Sequence, residues 1–280
     1  MCPTYNNETR WKEFLKKARR ENKEMKADSV EAHTVLNDKV IWNFSLMTAV
    51  GARPDDGQLK RCKKHKKVEA EYLLDMPEGV AFCDVGAHFG DTVITHAVHA
   101  RKHKRDDIRF FAFEPNKIKA NFIRQVAKDN QLDITVVNTA VSDKHTKCRE
   151  KKDFSKERAV WNGSLAYDTV SGDSSSGDID MITLDSMKEM ISPIGILHLD
   201  IEGHEAKAIL GARDILSEAV HGSVVIAEVW NKNEQYRRGL GKDADPENDI
   251  VTAIDGLNFQ RQEDIMDMER NVVFKKKKVV

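Results

Sequence analysis

From residue 79 onwards, short apolar runs alternate with stretches whose apolar residues recur every three or four positions. That is the signature of strands and amphipathic helices taking turns. Residues 80–85 read as a first strand, and 91–101 as a helix with Val93, Ile94, Ala97 and Val98 inward. Residues 108–113 make a second strand, stopped by Glu114-Pro115; Ile118, Phe122, Ile123 and Val126 then mark one face of a second helix. Strands follow at 134–137, 195–200 and 224–229, with a helix over 204–216 that turns Ala208, Ile209, Ala212 and Leu216 inward. Residues 179–184 add a short strand, and 258–262 with 271–274 read as an antiparallel pair. The alternation predicts an α/β fold with a doubly wound, mostly parallel sheet.

Two regions stand outside this rhythm. Residues 1–75 are highly charged and read as a helical N-terminal extension. Trp11, Phe14 and Leu15 recur at roughly helical spacing, and Val40, Ile41, Phe44, Leu46 and Met47 form a patch expected to pack on the main domain of residues 76–280. The basic run at 60–67 reads as a solvated helix face, with a site for an anionic partner as the alternative. Residues 144–178 are polar and read as an inserted substrate loop, ordered around Trp161 and mobile around Ser174. The lysines at 275–278 read as a solvated terminus.

Composition narrows the class. The 280 residues are 40% hydrophobic and 32% charged, enough for a sizeable core under a polar surface. A net charge of -1 argues against a chain dominated by nucleic-acid binding. No stretch approaches the roughly 20 apolar residues of a membrane span. The first residues lack an apolar leader core, and Cys2, Cys62, Cys83 and Cys148 are scattered without a CxxC pair. A reduced, cytoplasmic protein is the expectation.

The candidate chemistry centres on residues 82–92, where an apolar run ends in Asp84 and is followed by Gly86-Ala87-His88-Phe89-Gly90 and a helix start. A strand, a glycine turn and a helix N-terminus let backbone approach a ligand and aim free N–H groups at it. Acids bracket the turn, so a cationic or zwitterionic nucleoside suits it better than a bare phosphate. Glu114, at the end of the second strand, is placed to take ribose hydroxyls, as it would be for a dinucleotide too. The turn is not GxGxxG, and His88-Phe89 would crowd a pyrophosphate, which favours S-adenosylmethionine over NAD or FAD. Asp143 and Asp200 recur at later strand ends.

These segments, with Asn138-Thr139-Ala140-Val141-Ser142-Asp143, 182–186 and above all Leu197-His198-Leu199-Asp200-Ile201-Glu202-Gly203-His204-Glu205, resemble the FkbM family of methyltransferases over about residues 79–275. The resemblance implies a class I, Rossmann-like fold with a seven-stranded sheet and an antiparallel C-terminal strand. It also implies S-adenosylmethionine-dependent O-methylation of a sugar, glycan or polyketide-type hydroxyl. It assigns the cofactor to Asp84, Gly86, Ala87, His88, Gly90 and Thr92, to Glu114, and to Ala140, Val141 and Asp143 near the adenine. Asp200, Glu202 and His204 fall beside the substrate as the catalytic candidates. His88 departs from the small polar residue or Asn more usual there.

A sugar hydroxyl is a poor nucleophile, so a general base or a metal is useful. His204 could take the proton, while Asp200 and Glu202 could hold the hydroxyl, orient His204 or ligate a hard cation. Glu228, ending the strand beside Asp200, could complete a magnesium site with Asn231. His204 could instead merely start a helix whose dipole Glu205 complements. Trp161 and Trp230 could stack on a sugar or pack in the core, and His96, His99 and His103 read as surface residues. Alternatives at this stage are methylation of RNA or protein, a noncatalytic S-adenosylmethionine-binding module and, weaker still, a nicotinamide oxidoreductase.

Overall fold

Strands joined through helices must bury both faces of their sheet, so their residues are apolar throughout rather than alternately. The computed structural model describes residues 29–34, 36–43, 63–150, 167–170, 179–229, 244–262 and 271–278. A hairpin of β1 (Ser29–His33) and β2 (Lys39–Asn43) precedes α1 (Lys63–Asp75). Then come β3 (Ala81–Val85), α2 (Asp91–Lys102), β4 (Arg109–Phe113), α3 (Lys117–Asp129) and β5 (Ile134–Val137). Four shorter strands follow: β6 (Ala140–Val141), β7 (Thr146–Glu150), β8 (Tyr167–Val170) and β9 (Ile179–Ile182). The chain continues through α4 (Lys188–Ile191), β10 (Ile194–Leu199), α5 (Glu205–Leu210), α6 (Arg213–Ser217) and β11 (Val224–Glu228). It ends with α7 (Pro246–Ile254), β12 (Phe259–Arg261) and β13 (Asn271–Lys276).

The main sheet has seven strands in the order β12-β13-β11-β10-β3-β4-β5, and only β13 runs against its neighbours. This is the Rossmann-like, class I methyltransferase arrangement. Successive residues feed two cores: Phe82, Ala112 and Ile196 face α2 and α3, while Cys83, Phe113, Leu197 and Leu199 face α5, α6 and α7. No helix among the described residues is long and apolar enough to cross a membrane.

Several elements differ from the sequence reading. The N-terminal region contains its expected helix but also the β1–β2 hairpin, which joins the main core through Val40 and Trp42. Asn130 fastens this hairpin by accepting from Ile41 N and donating to Ile41 O, both at 2.7 Å. Phe44, Leu46 and Met47, like Trp11, Phe14 and Leu15, lie outside the described residues. The helix expected over 204–216 is two helices, the first ending at Gly211, where a side chain would stand 2.0 Å from the Ser142 carbonyl oxygen. Parts of the inserted loop form a second sheet, β6-β9-β7-β8; Trp161 and Ser174 lie outside the described residues. Lys276 is not solvated: its Nζ donates to the carbonyls of Leu216, Ser217 and Leu257 and stops α6. His96 is wholly buried rather than on the surface.

Candidate functional site

Going from β3, the chain winds outward through β4 and β5 on one side, and through β10 and β11 on the other. The switch point between β3 and β10 opens a crevice at their carboxyl ends, the place where doubly wound sheets bind ligands. Asp84 near the end of β3, Glu114 just past β4, Asp200 just past β10 and Glu228 ending β11 all reach this edge. The expected carboxylates therefore converge because parallel pairing puts every strand end on the same side.

Gly86 turns the chain at φ 84°, and a Cβ there would stand 2.0 Å from the Asp200 carbonyl oxygen. Glycine is needed at this point by both conformation and space. Several backbone donors of the turn are taken up within the fold. Gly86 N and Ala87 N both donate to Phe113 O, His88 N to Glu114 Oε2, Gly90 N to Ala87 O and Val93 N to Asp84 Oδ2. Thr92, Ala87, Ala140 and Val141 are buried around the turn and the start of β6.

Glu114 is buried, and its two oxygens accept from His88 N and Asn116 N, both at 2.8 Å. Burial pushes its carboxyl up to about 7, against the pull of Lys119 and those two amides. Each oxygen keeps a lone pair for a further donor. His88 stands at φ 52° with its ring 3.8 Å from that of Phe89; burial, then Lys119, holds its imidazole down at about 3.

Asp200 and Glu228 hydrogen-bond to each other, and the Asp200 carboxyl stands well above its ordinary value. Desolvation contributes to that rise, but solvent reaches Asp200 from the open crevice, so the carboxylate of Glu228 is the cause that persists. Two acids this close hold one proton between them. His198, which the sequence reading passed over, lies between the acids: its Nδ1 is 3.2 Å from Asp84 Oδ1. Burial disfavours its charge, but Glu69, then Asp84 and Asp200, raise it to about 9. Its signal was a lone basic residue inside the apolar run of β10.

The loop after β10 carries backbone strain at Glu202 (φ 62°), next to Gly203 (φ 96°). Glu205 holds it: its Oε1 accepts from Ile201 N at 2.9 Å and Gly203 N at 3.2 Å. Burial lifts the Glu205 carboxyl to about 7. His204 does precede α5, but its side chain makes no capping bond. Its Nε2 is instead 2.9 Å from Ser142 Oγ, which donates at 2.9 Å to Asp143 Oδ1. Asp143 can only accept, so the serine proton goes to it and Nε2 carries the imidazole hydrogen. Nδ1 is left with the lone pair. Burial, then Lys207, lowers His204 to about 4, so the ring is neutral at physiological pH. Asp143, expected near the adenine, is thus tied through Ser142 to His204 in the loop after β10.

The donor set fits a sulfonium nucleoside. Carboxylates at Asp84, Glu114 and Asp200 lie at the crevice end of the sheet, and Glu114 has acceptor capacity for ribose hydroxyls. For a metal, Asp200 and Glu228 do meet, while Asn231 and Trp230 lie outside the described residues; among the described residues no group of three or more ligands forms. A hard cation such as magnesium can be held by two carboxylates with water completing its shell.

Among solved structures the chain is similar to a methyltransferase FkbM from Methylobacillus flagellatus KT, with 16% identity, 82% of this chain and 58% of that one covered, and a TM-score of 0.42. It is also similar to a precorrin-6y C5,15-methyltransferase from Geobacter metallireducens GS-15, with 10% identity, coverage of 71% and 73%, and a TM-score of 0.40. A third similar structure is an rRNA methylase from Streptococcus thermophilus, with 10% identity, coverage of 76% and 96%, and a TM-score of 0.43. The chain thus spans little more than half of the FkbM structure. Curated proteins gave no match. The model of the methyltransferase FkbM domain matches residues 84–260, from the acid before the glycine turn to the strand pair closing the sheet. The chain belongs to the FkbM methyltransferase family.

Proposed function

We propose that this methyltransferase transfers the methyl group of S-adenosylmethionine to a hydroxyl oxygen, and that the acceptor is a sugar, glycan or small glycoside. The observation that carries the hydroxyl reading is the Asp143–Ser142–His204 chain, which leaves a neutral imidazole with a defined lone pair. A hydroxyl must lose its proton as its oxygen takes the methyl, and a positioned base suits that need. The sugar class rests on the resemblance of residues 197–205 to FkbM proteins.

When bound, S-adenosylmethionine supplies a methyl group on a sulfonium that departs as a neutral thioether. Asp84, Gly86, His88, Gly90 and Glu114 would hold it, with Glu114 taking the ribose hydroxyls. His204 Nδ1 would take the acceptor proton, while Ser142 keeps the ring in the Nε2–H form. Asp200 and Glu228 would hold the acceptor hydroxyl, directly or through a magnesium ion. Glu205 keeps the loop bearing these groups in place.

The test is transfer of labelled methyl from S-adenosylmethionine to a panel of monosaccharides, glycans, RNA and protein, with and without EDTA. Labelled sugar is the expected product. Tight donor binding with no transfer to any acceptor would refute a catalytic role, and salt-sensitive labelling of RNA alone would replace the sugar reading. Loss of transfer in EDTA, restored by magnesium, would assign the metal to Asp200 and Glu228.

A further inference from the structure

α1 lies ahead of the matched domain, yet it sends a buried cation to the donor turn. Lys66 Nζ is 2.5 Å from Asp91 Oδ2, and the lysine side chain is only 4% exposed. Within the basic run at 60–67, this lysine is therefore withdrawn from solvent and unavailable to an anionic partner. Asp91 is the first residue of α2, directly after Gly90. Desolvation would raise its carboxyl, but the side chain is 41% exposed, and Lys66 holds it below its ordinary value.

The first turn of α2 is gripped from two sides. From the sheet, Asp84 Oδ2 accepts from Val93 N at 3.1 Å; from α1, Lys66 holds Asp91. Between these grips the turn has little room, because a Cβ on Gly90 would meet Ile94 Cδ1 at 2.9 Å and Ile123 Cγ1 at 3.0 Å. α1 is itself seated by Ala70 and Leu73, both buried. Any displacement of Asp91 therefore moves Gly90 and the backbone that faces the ligand.

We propose that Lys66 is a positioning residue of the methyl-donor site, fixing the glycine turn through Asp91, so that the N-terminal segment completes a pocket the matched domain does not complete by itself. This rests on the reading of that turn as the S-adenosylmethionine site. The two possible actions of Lys66 have opposite signs. As a mere charge it would repel a cationic sulfonium, and its removal would tighten S-adenosylmethionine while leaving neutral S-adenosylhomocysteine unaffected. As a positioning group it serves both ligands alike.

The experiment is calorimetric titration of both ligands into wild-type protein, K66M, K66Q and K66R, with kcat and donor KM wherever turnover is measurable. Positioning predicts that K66M weakens both ligands in parallel by about tenfold, mostly in KM rather than kcat, and that K66R recovers most of the affinity. K66Q, which keeps a polar group in the buried site but removes the ion pair with Asp91, gives the same comparison if K66M does not fold. Affinities within about twofold of wild type, or tighter binding of the sulfonium alone, would overturn the proposal. Failure of the wild-type protein to bind either ligand would overturn the donor reading, and this inference with it.

Discussion

His204 Nε2 and Ser142 Oγ lie 2.9 Å apart, although 62 residues separate them in the chain. The contact exists because β6 delivers Ser142 to the same edge of the molecule as the loop after β10, and because Gly211 lets α5 end against the Ser142 carbonyl. H204A should lower kcat by about a hundredfold or more, the contribution of a general base, with donor affinity little changed. S142A should cost about tenfold by releasing the tautomer. Burial and Lys207 hold His204 near 4, so the base is already free above that value. The acid limb of the kcat profile should fall near pH 4; a limb near 6.5 would point to another group.

The turn at Gly86 allows a sharper comparison. G86A places a methyl 2.0 Å from the Asp200 carbonyl oxygen at φ 84°, whereas a Cβ at Gly79, at φ 75°, meets nothing within 4 Å. G79A should cost about 1–2 kcal/mol, the conformational penalty alone. G86A should cost about 3 kcal/mol or more and abolish donor binding, because the strand end and the Asp200 loop must move apart. Urea unfolding of both variants, with donor titration, separates the two effects. Equal losses would mean that the contact with Asp200 is unimportant.

How much of this was legible beforehand depends on what each residue's type announces. The alternation of strands and helices, the glycine turn and the nearness of Asp200 to Glu228 follow from apolar periodicity and from parallel pairing of neighbouring strands, so they were readable. Lys66 and Lys276 were not, since lysine normally signals solvent, and only the carboxylate or carbonyls waiting in the fold make burial tolerable. His96 and His198 were hidden for a related reason: neighbours from α1 and β3, distant in sequence, set their roles. The break between α5 and α6 did have a signal in Gly211, weak by itself and decisive only once Ser142 is opposite. The count of occupied N–H groups in the glycine turn is invisible without coordinates.

Asp200 and Glu228 share a proton, so neutralising one of them should relieve rather than disturb the fold. E228Q keeps a hydrogen bond to Asp200 while removing the like-charge conflict. Its Tm should hold or rise, whereas turnover should fall by about tenfold or more if the pair grips the acceptor or a cation. Calorimetry and initial rates on the same preparation decide it. A lowered Tm with full activity would make the pair structural.

Glu69 offers a test of the buried layer beneath the site. It is 0% exposed, and its Oε2 lies 3.3 Å from His96 Nε2. His96 Nδ1 is 2.8 Å from Thr92 O and must donate to it, so Nε2 can only accept and the proton between the two belongs to Glu69. Burial pushes Glu69 up from 4.5 to about 7 and holds His96 down at about 3, in keeping with that assignment. With the carboxyl raised in the folded chain, the native state binds a proton that the unfolded chain releases between pH 4.5 and about 7. Its stabilising contribution is complete below that window and is lost as pH rises through it. E69Q cannot ionise, so relative to wild type it should gain about 1–3 kcal/mol of unfolding free energy between pH 5 and pH 8. Urea unfolding of both proteins at pH 5, 6.5 and 8 measures this difference directly. If it does not change with pH, Glu69 is ionised in the folded chain as in the unfolded one, and the proton on His96 must be reassigned.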